Sequence, residues 1–210
     1  MGEILFDLSY LTAALFFGLF FIFTGVDNGA RTLAGVMALV LVIGDAFHLL
    51  PRIWFILNKG KKQLHSALGR GKQVTSITMT IFYLLLWQLG ILLFSPSGIN
   101  AWTYAVYAIA SIRIIICLFP QNNWRERFSP QFWVILRNIP FLLLGGIVAG
   151  LFFIYRFMFV GFSFMWLAIA LSFVFYIPVA FWTSKNPKIG ILMLPKTCAY
   201  IWMLIMCLSL

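Results

Sequence analysis

An all-α polytopic membrane bundle is the fold class this sequence predicts, on three observations. Hydrophobic residues make up 63% of the 210 positions and charged residues 10%, with a mean hydropathy of +1.01; a soluble domain is apolar over only about half its length. The apolar residues gather into seven runs, at roughly 5–26, 33–58, 73–94, 101–120, 131–155, 157–182 and 189–209, each near the ~20 residues that carry a helix across ~30 Å of hydrocarbon. None alternates with the period of two that a barrel strand requires, and in lipid only helices or closed barrels satisfy the backbone. Short loops leave no room for an extramembrane domain, so residues 1–210 form one unit and any activity lies in or at the edge of the bilayer.

The N-terminus carries Glu3 and Asp7 instead of a basic segment, so the first run reads as a retained helix and not a cleavable signal. The second is interrupted by the polar patch Asp45, His48, Arg52, with Pro51 inside it. The third carries Thr75, Ser76, Thr78, Thr80, Tyr83, Trp87 and Gln88. The fourth holds Arg113 and ends at Pro120; the fifth holds Arg137, Asn138 and Pro140. Only Tyr155-Arg156-Phe157 separates the fifth run from the sixth, which contains Pro178, and the seventh carries Pro195 and Lys196. Prolines bend helices, and these cluster toward one leaflet, where bends would open a vestibule.

The net charge of +10 would suggest nucleic acid in a soluble protein. Here it marks orientation. Lys59, Lys61, Lys62, Arg70 and Lys72 follow run two, Arg125 and Arg127 follow run four, and Lys185 and Lys188 follow run six, all on one side. The positive-inside rule then puts the N-terminus in the cytoplasm and the C-terminus outside, in a cell membrane, the cytoplasmic one for a bacterium. Trp54, Trp102, Trp124, Trp133 and Trp182 lie near the span ends and read as interfacial anchors. Cys117, Cys198 and Cys207 fall in apolar stretches without metal-ligand spacing and read as core packing.

Charges inside the spans are the candidate functional residues. Arg52 lies seven residues before Lys59, Arg113 seven before Pro120, Arg137 seven after Pro130 and Lys196 eight after Lys188, which puts each ~10–12 Å in from the cytoplasmic end. Four cations at one level, with Asp45 as the intramembrane counter-charge, are costly unless water or an anion enters. The expectation is an inner-leaflet cationic cavity for an anionic amphiphile such as a lysophospholipid, with Ser76, Thr80 and Tyr83 as further binding residues. Its partner is membrane lipid, not nucleic acid.

Asp45, His48 and Arg52 stand at i, i+3 and i+7 and share a helix face. Asp45 fits a general acid or base, a coupling-proton site, or an ion-pair partner of Arg52, Arg113 or Arg137; His48 suits a proton relay. Two histidines, with His65 in a loop, cannot build a clustered zinc site, so no metal is expected. Neither a Gly-rich phosphate loop nor a serine elbow is present, and no cofactor is implied.

The run Gly44-Asp45-Ala46-Phe47-His48-Leu49-Leu50-Pro51, followed by Phe55, resembles the Gly-Asp helix of the lysoplasmalogenase family of integral membrane hydrolases, which cleave the vinyl-ether bond of lysoplasmalogens with intramembrane aspartates. The resemblance implies an acid–base role for Asp45. The family's second, Ser-Asp helix has no counterpart, since no later span carries an acid, and with one carboxylate the second role falls to His48 or a bound water. Two other functions fit the residues: a small proton-coupled transporter of an anionic solute, using Asp45 and His48, and a non-catalytic lipid-binding or sensor protein.

Overall fold

The computed structural model describes residues 2–57, 65–126 and 129–210. Among them, seven helical segments are long and apolar enough to cross a membrane, built on α1 (Gly2–Thr24), α2 (Gly29–Leu57), α3 (His65–Phe94), α4 (Asn100–Leu118), α5 (Gln131–Ile154), α6 (Met165–Trp182) and α7 (Met193–Met206), the last two lengthened by flanking 3₁₀ turns to Val160–Trp182 and Lys188–Ser209. Consecutive helices pack as neighbours, α1 closes on α7, and α3 also reaches α5. Short 3₁₀ turns precede α6 (Val160–Phe162) and α7 (Pro187–Leu192). The fifth and sixth runs are therefore separate spans, joined through the turn at Tyr155.

Each helix turns one narrow stripe inward. On α1 it is Asp7, Tyr10, Ala14, Gly18 and Phe21; on α4 it is Val106, Ala110, Arg113 and Cys117; on α6 it is Met165, Ala168, Ile169, Ser172 and Phe173. Steps of three and four residues keep such positions on one face. Lipid is as apolar as leucine, so packing and interhelical hydrogen bonds hold the helices together, and small residues permit the closest approach. The pair α2 and α3 shows this best. A Cβ on Gly44 would lie 1.9 Å from the Thr78 hydroxyl oxygen. One turn away, the Thr75 hydroxyl reaches across to the Gly44 carbonyl at 2.7 Å.

Three sequence expectations change here. Helix α3 begins at His65 and not near residue 73, so Arg70 and Lys72 are helical instead of loop residues. Its first turns are polar, which hides them from a hydropathy reading. Lys59, Lys61, Lys62 and Arg127 lie outside the described residues. Trp54, Trp102 and Trp182 are exposed, as an interfacial belt requires, but Trp124 is buried and is no anchor. Cys117 and Cys207 are buried, whereas Cys198 is exposed.

Candidate functional site

At the end of the bundle that carries the basic loops, a cavity of about 460 Å³ opens between α2 and α7. Its wall includes His48, Arg52, Lys72, Ser76, Arg113, Arg137 and Lys196, together with Asn138, Phe141, Tyr176 and the rim residue Glu126. The cations come from α2, α3, α4, α5 and α7. No single helix could gather them; the alternation of helix direction does.

Arg113 is the most enclosed, 1% exposed, because it occupies the inward stripe of α4. One of its Nη1 protons goes to the Thr80 hydroxyl oxygen, and its Nε donates to the Arg137 carbonyl at 3.3 Å. Thr80 gives its own proton to the Ser76 carbonyl at 2.9 Å, leaving a lone pair for the guanidinium. The face of Arg113 rests 3.5 Å from the Phe141 ring centroid, a cation–π contact strengthened by burial.

Arg137 is placed by the segment after α4. Pro120–Asn122 forms a 3₁₀ turn, and Asn123 follows in the left-handed region at φ 49, which turns the chain back over the helix ends. Asn122, 0% exposed, donates to the Ile116 and Phe119 carbonyls at 2.7 and 3.0 Å and accepts from Arg137 Nη1 at 3.0 Å. The Trp124 indole donates to the Cys117 carbonyl at 2.9 Å and lies under the Arg137 guanidinium, 4.3 Å from centroid to Cζ. The segment packs so close to α3 that a Cβ on Gly69 would fall 1.4 Å from the Trp124 carbonyl oxygen.

Neither Arg113 nor Arg137 has a carboxylate within 4.0 Å among the described residues. Their partners are neutral hydroxyl, amide, carbonyl and ring groups. Arg52 differs: it stands 3.0 Å from Glu3 and 3.9 Å from Asp7. Lys196, 6% exposed, sits between the Tyr176 and Tyr200 rings with centroids at 5.0 and 5.2 Å.

A smaller recess of about 30 Å³ adjoins the cavity, lined by Asp7, Asp45, His48, Arg52, Thr75 and Lys196 among others. The shared face of Asp45, His48 and Arg52 thus does point to one place. Asp45, however, is the ion-pair partner of neither Arg52, Arg113 nor Arg137 among the described residues. It accepts a hydrogen bond from Tyr10 at 2.6 Å. Nor is it the sole intramembrane acid: Asp7, five residues into α1 and 4% exposed, lines the same recess. His48 Nδ1 is buried there without a hydrogen-bond partner.

The hydroxyl stripe of α3 divides. Ser76 lines the cavity, but Thr80 reaches it only through Arg113, and Tyr83 is buried away from it. The Tyr83 hydroxyl stands 3.0 Å from Ser172 Oγ, in an aromatic cluster with Phe82, Phe141 and Phe173. Thr80 supports Arg113 and Tyr83 packs against Ser172 in the core, and neither lines the cavity. The third span faces both a void and the core, and periodicity alone does not separate the two sectors. Asn138 and Tyr176 are linked by a 2.8 Å hydrogen bond at the cavity wall. Asp7, Tyr10, Lys72, Asn122 and Trp124 were missed as site residues; for Asp7 and Tyr10 the stripe with Ala14, Gly18 and Phe21 was the available signal.

No family model, curated protein or solved structure matches the chain.

Proposed function

We propose that this multi-pass membrane protein binds the headgroup of an anionic amphiphile in its cationic cavity, taking it from the leaflet at the basic end of the bundle. By the positive-inside rule that leaflet is cytoplasmic. One observation carries the reading: Arg113 and Arg137 hold fixed positions on a cavity wall with only neutral partners. Uncompensated charge at such depth costs several kcal/mol, roughly, unless an anion or water completes it. Guanidinium forks suit phosphate and carboxylate oxygens. The volume of about 460 Å³ falls within the ~300–1,000 Å³ of small-molecule sites, and Phe141, Val134 and Val179 supply apolar wall for the ligand's stem.

Native mass spectrometry of the protein in nanodiscs containing lysophosphatidylglycerol tests this. The wild type should retain the lipid; Arg113→Lys and Arg137→Gln should lose most of it while unfolding at a similar temperature. Retention by both variants refutes the reading.

A second reading is favoured by the recess, where Asp7 and Asp45 lie beside His48. Acid–base hydrolysis of the bound amphiphile, in keeping with the lysoplasmalogenase resemblance, needs a proton donor and a group to activate water. A protonated Asp45 would protonate the vinyl carbon distant from oxygen. Water would then add to the resulting oxocarbenium carbon, its spare proton passing to the Asp45 carboxylate. The hemiacetal so formed collapses to a fatty aldehyde and the glycerol hydroxyl. Aldehyde release from lysoplasmalogen should be lost in Asp45→Asn, with lipid retained. Movement of labelled lysolipid across proteoliposomes without aldehyde release would favour transport instead, and retention with neither would favour a sensor.

A further inference from the structure

The charges on the cavity wall also specify the headgroup, given that the cavity is an anion site. Arg52 is balanced within the protein by Glu3 at 3.0 Å and Asp7 at 3.9 Å. Lys196 shares the recess with Asp7 and Asp45. Glu126 lies at the exposed rim and pairs with neither remaining arginine. Apart from Lys72, which has interactions of its own, what is left on the wall is Arg113 and Arg137, two charges with only neutral partners among the described residues.

These two are held against each other. The Arg113 Nε donates to the backbone carbonyl of Arg137, while Arg137 turns its own guanidinium to Asn122. One face of each guanidinium is covered, by Phe141 and by Trp124, and the N–H groups without a partner among the described residues lie along the edges. Arg113 keeps Nη2 and one Nη1 proton; Arg137 keeps Nε, Nη2 and one Nη1 proton. Two forks at one wall match a group with several oxygens and two negative charges. A phosphodiester carries one charge and leaves one arginine uncompensated. A zwitterionic headgroup would in addition bring an ammonium to a cationic wall.

We infer that the ligand is a phosphomonoester bound as its dianion, gripped between Arg113 and Arg137, and carried on a single-chain lipid. The phosphomonoester chemistry follows from the two arginines, and the lipid from the depth and apolar wall of the cavity. A soluble phosphomonoester would share the first and not the second.

Affinities in phosphatidylcholine nanodiscs should be measured with four probes: oleoyl lysophosphatidate, oleoyl lysophosphatidylglycerol, oleoyl lysophosphatidylcholine and glycerol 3-phosphate. Lysophosphatidate should bind about tenfold or more tighter than lysophosphatidylglycerol, with lysophosphatidylcholine weakest. A phosphomonoester loses its second charge near pH ~6. Binding of lysophosphatidate should therefore weaken several-fold from pH 7.5 to pH 5, relative to lysophosphatidylglycerol, whose charge is constant over that range. In Arg137→Gln both lipids should bind more weakly and the ratio of the two affinities should collapse toward one, with an unchanged midpoint of thermal unfolding reporting that the fold is intact. Equal wild-type affinities for the mono- and dianion, or a pH dependence common to both, overturn the dianion inference and leave the anion site standing. Glycerol 3-phosphate binding as tightly as lysophosphatidate supports the phosphomonoester and overturns the lipid. Failure of every probe overturns the anion site itself.

Discussion

The two ends of the bundle are built from the same helices but handle their polar side chains in opposite ways. At the end away from the basic loops, polar groups close on the backbone. Asn28 caps α2 by accepting from Ala30 and Arg31 N–H at 3.1 and 3.2 Å and donates to the Leu210 carbonyl at 2.9 Å. Thr32 donates to the Gly25 carbonyl at 2.6 Å. Around them Phe94 packs against Phe152 and Tyr155, and Phe152 against Phe162. At the basic end the same kinds of group instead hold charged side chains against an open cavity. Asn122 and Thr80 orient arginines, and Phe141 and Trp124 support their faces. One end closes on its own chain apart from the Arg31 Nε, which is buried without a hydrogen-bond partner, whereas at the other, two arginines face a cavity with only neutral partners among the described residues.

The largest expected effect separates these ends directly. Arg113→Ala should lower affinity for an anionic lysolipid by about 100-fold, as removal of one partner from a buried charged contact costs roughly 2–5 kcal/mol. Arg31→Ala, at the opposite end beside Phe20 and Phe21, should change it less than about twofold. Similar losses in both variants would mean that the two ends do not differ in ligand binding. Next in size is Gly44→Leu. A side chain there must displace Thr78, and overpacking costs about 1–3 kcal/mol. Thermal unfolding in detergent should show a lower midpoint, and an unchanged midpoint would deny that α2 and α3 are locked at this contact.

The seven spans were legible because hydrocarbon imposes a length and a composition on any helix that crosses it. Arg113, Arg137 and Lys196, set at one level by helical rise, line one cavity. Asp7 was not legible as a site residue. In the sequence it bears only on the missing basic leader segment, and the packing of α1 along α2 is what encloses it. Lys72 was hidden by a polar opening to α3 in which Gly69 and Gly71 look like breakers. Both glycines instead admit close neighbours, Trp124 for one and Phe47 for the other. Trp124 read as a belt residue because nothing local says that Pro120–Asn122 folds the chain back over the cavity. Which residues point inward is written in the periodicity of each helix; which inward residues meet a void depends on all the helices together.

Two asparagines sharpen the comparison at a smaller scale. Asn28→Ala and Asn122→Ala should each destabilise the protein by about 1–2 kcal/mol, one through a lost helix cap and the other through the lost side-chain hydrogen bonds to the Ile116 and Phe119 carbonyls. Only Asn122→Ala should also weaken ligand binding, since only Asn122 orients an arginine. Equal binding by the two variants would reduce Asn122 to a turn residue.

The smallest effect concerns the recess. Tyr10→Phe removes the 2.6 Å hydrogen bond to Asp45 and nothing of the ring's packing. Hydrogen bonds between membrane helices average about 0.6 kcal/mol, so the midpoint of thermal unfolding should move by little more than its measurement error. The effect on chemistry should be larger. If Asp45 acts as the acid of a hydrolase, the freed carboxylate oxygen can turn, and aldehyde release from lysoplasmalogen should change severalfold at constant lipid retention. If Asp45 only completes the packing of α1 on α2, stability and retention should be all that respond. That division between a small structural effect and a larger chemical one is what distinguishes the recess from the closed end, where Asn28 and Thr32 have only stability to lose.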